Sequence, residues 1–359
     1  MEFTRRDTKI IKGVAICLML YHHLFAYPMK VLDGNVFISL CSFGETTLST
    51  YIGQFGRICL PMFVFLSGYG SYLSSLKAKD MQSLVLRQML GLYKSFWKVF
   101  FIFVPASLIF FGIRPDPVQR ELIYNFLGLS YSFNKEWWFI VPYVLLLVLF
   151  PAVKTFIERK NSGLFTDLFI VVLLNGFVQY VLPQILALNV FVYLRDSVFW
   201  EHISVMLGLL PGFMTGCIFA RYGILNEVKT RMGGRLPWCI AAVLGMAALF
   251  YIHLYNYMLY DFINTAVFIV CITVLLPTKP GQWFGRIFEI LGEESTFMWL
   301  THSFFCYYWC QKLVFAPRYS PLIFLWLLAL SFASAKLLGL FWGLVDKVYK
   351  RLFVTAEKI

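Results

Sequence analysis

The chain is 359 residues long, 60% hydrophobic and only 14% charged, with a mean hydropathy of +0.72. A soluble domain of this size does not carry such a composition, which leaves a polytopic membrane protein. The net charge of +12 would suggest nucleic acid in a soluble protein; in a membrane protein basic loops mark the cytoplasmic face, and no nucleic-acid partner is expected.

Ten apolar stretches are long enough to span a bilayer, at 11–29, 52–75, 92–113, 137–157, 165–187, 200–221, 237–256, 259–278, 287–311 and 321–345. Arg5 and Arg6 precede the first as in a signal peptide. Its length, its His22-His23 pair and its lack of a small-residue cleavage pattern make it a retained first helix instead. Charge sets the orientation. Segments on the N-terminal side of the membrane hold Arg5, Arg6, Lys9 and Lys12, then Lys77, Lys79, Arg87, Lys94 and Lys98, then Lys154, Arg159 and Lys160, then Arg221, Lys229, Arg231 and Arg235, then Lys279 and Arg286, then Lys347, Lys350, Arg351 and Lys358. The opposite side holds the sparser Lys30, Arg57, Arg114, Arg120, Lys135, Arg195, Lys312 and Arg318. The expected fold is therefore all-α: a polytopic helical bundle of about ten transmembrane helices, both termini inside, as one domain over 1–359. The eight cysteines fall mostly in apolar stretches and read as small buried residues rather than a disulfide framework or a metal site.

Five constellations could carry chemistry. In the first span, Lys12 and His23 are eleven residues apart, about 20° more than three turns, so they share a helix face about 16 Å apart along the axis. His22 points about 80° away. An imidazole inside a membrane helix is a functional candidate, and histidine suits general-base work near neutral pH. The bland alternative is that Lys12 snorkels and the histidines bond between helices. In the second span, Ser67 is followed by Gly68 and Gly70, which permit close helix approach or a break. Arg87, Lys94 and Lys98 stand around the start of the third span, either as ordinary positive-inside charge or as a cradle for a phosphorylated cofactor. Glu136-Trp137-Trp138 opens the fourth span. The indoles fit an interfacial belt, while a carboxylate beside aromatic faces suits a sugar, and Glu136 could orient a hydroxyl or a histidine. In the ninth span Ser295 and His302 lie two turns apart on one face. There is no Gly-rich phosphate loop, metal-ligand spacing or nucleophile elbow.

Taken together these phrases resemble membrane acyltransferase family 3, whose bacterial members mostly O-acetylate surface polysaccharides. The resemblance runs through most of the chain: Ile11-Lys12-Gly13 to His22-His23, Phe63 to Tyr69 with Ser67-Gly68 inside it, Glu136-Trp137-Trp138-Phe139, Pro211 to Ala220, and Ser295 to His302. The chain departs where the family has an arginine, here Lys12, and where it has a second arginine near the third helix, here Gly91 with Lys94 beyond. The resemblance implies transfer of an acetyl group from cytoplasmic acetyl-CoA to a carbohydrate hydroxyl in a bacterial plasma membrane, with a polysaccharide or lipid-linked sugar as acceptor. His23 would take the hydroxyl proton, and His22, Ser67 or His302 would donate to the developing oxyanion. Lys12, Arg87 and Lys94 would hold the CoA phosphates, with Glu136, Trp137 and Trp138 at the sugar. No metal is implied. A transporter or flippase of a polysaccharide precursor or small molecule also fits the helices and intramembrane histidines; the lack of a two-half repeat and the few mid-span acids oppose it.

Overall fold

The computed structural model describes residues 2–32, 34–160, 162–256 and 261–351, and helix makes up 82% of it. In chain order the helices are α1 (Arg5–Phe25), α2 (Leu48–Phe55), α3 (Cys59–Ser75), α4 (Met81–Phe110), α5 (Val118–Leu127) and α6 (Ile140–Ile157). They continue with α7 (Leu164–Gly176), α8 (Leu182–Leu186), α9 (Val192–Arg195), α10 (Val198–Arg221), α11 (Ile224–Arg231) and α12 (Leu236–Asn256). The last four are α13 (Asp261–Leu275), α14 (Lys279–Ser303), α15 (Gln311–Phe315) and α16 (Ser320–Tyr349). A two-residue-strand hairpin, Ser42–Phe43 with Thr46–Thr47, decorates the loop after α1.

Among the described residues seven helical segments are long and apolar enough to cross a membrane. α13 and the run Lys279–Trp309 pass that test together, bent by 116°, and raise the number to eight if they form one span. The sequence pattern separates that pair into two spans, 259–278 and 287–311, the first beginning at residues 259 and 260, which lie outside the described set. α1 is a continuous helix but not among the seven, because Lys9, Lys12 and the histidine pair dilute its apolar run. The protein is an integral membrane protein built almost wholly of helices.

Close packing divides the chain into two units, each drawn from separated segments. The first comprises 1–19, 54–90 and 138–292. At its centre α3 lies against α10. A Cβ at Gly68 would run into the Phe213 carbonyl, and one at Gly216 into the Phe65 carbonyl, so only glycine allows the backbones to meet. Cys217 Sγ donates to the Gly68 carbonyl at 3.3 Å in that seam. Buried Asp167 is met by Arg159 at 3.0 Å, Arg221 at 3.8 Å and the Tyr222 hydroxyl at 3.0 Å, an arrangement that offsets the desolvation of a carboxylate.

The second unit comprises 20–53, 91–137 and 293–359. α14 runs into a π turn, Phe304–Trp309, which buries Phe304 and Cys306 and leaves its other aromatic side chains half-buried. Trp309 stacks on Phe103 and Phe111, with ring centroids 4.8 and 4.6 Å away, and its Nε1 donates to Ser107 Oγ at 3.0 Å. Gln311, just after the turn, is nearly buried. Its amide donates to the carbonyls of Lys30 and Cys306, while its Oε1 accepts from Leu32 N and Asn35 Nδ2. That one side chain fastens the loop following α1 to the π turn.

Candidate active site

The second unit gathers four of the residues singled out in the sequence: His22, His23, Glu136 and His302. His22 and His23 end α1. A Cβ on Gly53 would stand 2.6 Å from Ala26 N, so the last turn of α2 touches the end of α1 backbone to backbone. That approach lets His22 Nδ1 donate to the Gly53 carbonyl at 2.8 Å.

His23 is held differently. The Tyr307 hydroxyl donates to the His23 carbonyl at 2.6 Å. With its single proton used there, the same oxygen accepts from His23 Nδ1–H at 3.2 Å. The bond pattern fixes the tautomer and leaves Nε2 with a lone pair. Nε2 lies 3.5 Å from Glu136 Oε2, and Lys30 Nζ is 4.0 Å from the other oxygen of that carboxylate. Both His23 and Glu136 side chains are 13% exposed, so the pair is largely shielded yet reachable. A proton on either atom makes the contact attractive.

His302 faces His23 with ring centroids 4.7 Å apart. It is fully buried, and its Nδ1 lies 2.8 Å from the Trp299 carbonyl and 3.2 Å from that of Met298. Two acceptors at one nitrogen place the proton on Nδ1, so Nε2 is an acceptor; it has no hydrogen-bond partner among the described residues. This reverses the role expected from sequence: a neutral His302 accepts a hydrogen bond and cannot donate one to an oxyanion. The same holds for the Nδ1 proton of His22, which is committed to Gly53.

Glu136 is carried by a 3-10 turn, Lys135–Phe139. Asn134, fully buried, caps it: its Oδ1 accepts from Glu136 N at 3.0 Å and from Ser303 Oγ at 2.9 Å. Lys135 N donates to the Tyr308 hydroxyl at 2.9 Å. Trp137 Nε1 donates to the Leu300 carbonyl at 3.1 Å, and its ring packs edge-on against Phe96 and Phe304. At 1% exposure Trp137 is a core wedge that fixes the turn, rather than the sugar platform its place in the sequence suggested.

The remaining sequence candidates lie elsewhere. Ser67 is in the first unit, where its Oγ donates to the Tyr143 hydroxyl at 2.8 Å. Lys12, Arg87 and Trp138 belong to the first unit; Lys94 is exposed on the second. Tyr307 and Lys30 complete the surroundings of His23, Asn134 and Gln311 brace the turn and the loop that carry Glu136 and Lys30, and none of the four was assigned a role from the sequence. Tyr307 follows His302 by five residues, a spacing that α-helical periodicity assigns to another face and that the π turn re-phases. Among the described residues no cluster of three or more His, Cys, Asp or Glu could hold a metal ion.

A helical membrane protein with a shielded imidazole, its tautomer set and a carboxylate opposite its lone pair, is equipped to move a proton on a bound hydroxyl or thiol. The family model described as an acyltransferase domain matches residues 8–339, and the chain belongs to membrane acyltransferase family 3. It is thus a membrane acyltransferase. No curated protein and no solved structure matches it.

Proposed function

We propose that the protein transfers an acetyl group from acetyl-CoA at the cytoplasmic face to a hydroxyl of a cell-surface or exopolysaccharide sugar, in a bacterial plasma membrane, with ten helices and both termini inside. The observation that carries this reading is the state of His23: Nδ1–H is held by Tyr307, and the Nε2 lone pair looks toward Glu136 across a shielded gap. A sugar hydroxyl placed there gives its proton to Nε2 as its oxygen attacks the thioester carbonyl. The C–S bond then breaks, the thiolate leaves, and the proton passes from His23 to the sulfur. Glu136 stabilises the imidazolium that forms in between.

In the catalytic triad of serine hydrolases the carboxylate holds the Nδ1 side of the histidine. Here a tyrosine takes that side and the carboxylate stands on the reacting side, where it also accepts a hydrogen bond from a neighbouring sugar hydroxyl. His302 Nε2 offers a second acceptor for the sugar. The oxyanion is met by cationic His23 and by Lys30 rather than by neutral imidazoles. Lys12, Arg87 and Lys94 remain the proposed cations for the CoA phosphates, on sequence grounds. The test is purified protein in lipid nanodiscs with acetyl-CoA and oligosaccharides from the source envelope. Acetylated oligosaccharide with stoichiometric CoA release supports the reading. Movement of unmodified oligosaccharide across a sealed vesicle, without CoA release, points to a transporter instead.

A further inference from the structure

A cavity of about 380 Å³ lies wholly within the first unit, in the size range of small-ligand sites. Polar side chains from five separate segments reach its wall: Arg57, Trp138, Asn175, Gln179, Ser204 and Asp261. Packing does not ask for such a set. Polar groups inside membrane helices are costly, and their convergence from five segments on one space marks a binding site. Gln179 sits on a second π turn, Phe177–Val181, a local rewinding often found at functional sites. Asp261 Oδ1 is buried with no hydrogen-bond partner among the described residues, and His253 Nδ1 stands 3.5 Å from it.

The chemistry of the wall selects the ligand. One guanidinium and one carboxylate cancel in charge. An anion such as a phosphate would gain Arg57 but meet Asp261, whereas phosphate sites gather several cations. Two amides, a hydroxyl and a carboxylate supply donors and acceptors in mixed order, and Trp138 offers an aromatic face. On the orientation proposed above, the contributing segments are the outer ends of four spans, the starts of the second, fourth, sixth and eighth, and the fifth span from its middle at Asn175 outward to Gln179. We propose that this cavity binds a neutral pyranose of the acceptor from the non-cytoplasmic side. The assignment of the sugar as acceptor rests on the acyl-transfer reading; the binding itself does not.

The experiment reads binding without acetyl-CoA. Saturation-transfer NMR on protein in nanodiscs would be recorded with methyl glucoside and N-acetylglucosamine, and with glucuronate and methyl phosphate as charged probes. Saturable binding of the neutral sugars is expected, weakened tenfold or more by Asp261→Asn and by Gln179→Leu in protein that melts like wild type. No neutral-sugar binding to wild type, unchanged binding in the folded variants, or tighter binding of glucuronate or methyl phosphate overturns the assignment. Because wild type alone answers the first and third points, a variant that fails to fold does not remove the test. Neutral-sugar binding in a protein that never cleaves acetyl-CoA would keep the cavity and discard the acyl-transfer reading.

Discussion

Replacing Tyr307 by phenylalanine removes one oxygen and two hydrogen bonds from His23: that accepted from Nδ1–H at 3.2 Å and that donated to the carbonyl at 2.6 Å. The ring volume stays, so the packing around the π turn survives. A shielded donor left without a partner costs about 1–3 kcal/mol. The imidazole can recover part of that by rotating or by changing tautomer, and both moves take the lone pair off Nε2 or away from Glu136. If the loss falls on the transition state, kcat drops by about 5- to 150-fold. Tyr307 has no part in holding the donor's phosphates, so KM for acetyl-CoA should hold. The assay is CoA release by purified protein in nanodiscs at saturating acetyl-CoA and acceptor. A correctly folded Tyr307→Phe protein with kcat within twofold of wild type would refute the claim that this hydroxyl sets the base.

Glu136→Gln keeps the shape of the side chain and deletes its charge. Opposite unit charges 3.5 Å apart attract by about 4–5 kcal/mol at an effective dielectric of about 20, an upper bound because Lys30 already offsets part of the carboxylate. Steady-state kinetics should show a kcat loss of one hundredfold or more, greater than for Tyr307→Phe; the reverse order would place the carboxylate outside the reaction. Away from the membrane, the Ser130 and Ser132 hydroxyls donate to Glu121 and hold its carboxyl below the usual glutamate range. A depressed folded-state pKa adds stability above the ordinary glutamate pKa that is lost as pH falls through the lowered value. The amide-exchange protection factor over 118–132, with the intrinsic rate divided out, should therefore fall as the pH is taken below the ordinary glutamate pKa, and Glu121→Gln should flatten that dependence.

How far the sequence could be read depends on which geometry it was read with. Helical arithmetic separated His22 from His23 correctly because α1 is a regular helix through both. The Ser295 to His302 phrase likewise sits on regular α14. Reading stopped at the π turn beyond it: 3.6-residue periodicity sends Tyr307 to another face, and only the altered winding presents it to His23. Gln311 was missed for a related reason. Its four bonds reach 276–281 residues back to the loop after α1 and five back to Cys306, and no local pattern encodes such partners. The Ser67-Gly68 phrase was legible as close helix approach, and Gly68 against Phe213 shows that use. Trp137 looked like a surface indole because the sequence does not reveal that Leu300 offers it a carbonyl.

The most direct test of the account compares His23→Ala with His22→Ala, each purified, folded and supplied with acetyl-CoA and acceptor. Transfer of labelled acetyl to sugar should fall by at least a thousandfold in His23→Ala, since His23 is the imidazole that meets the Glu136 carboxylate, while His22→Ala keeps a measurable fraction of wild-type kcat. Wild-type turnover in His23→Ala would contradict the central claim that His23 is the base.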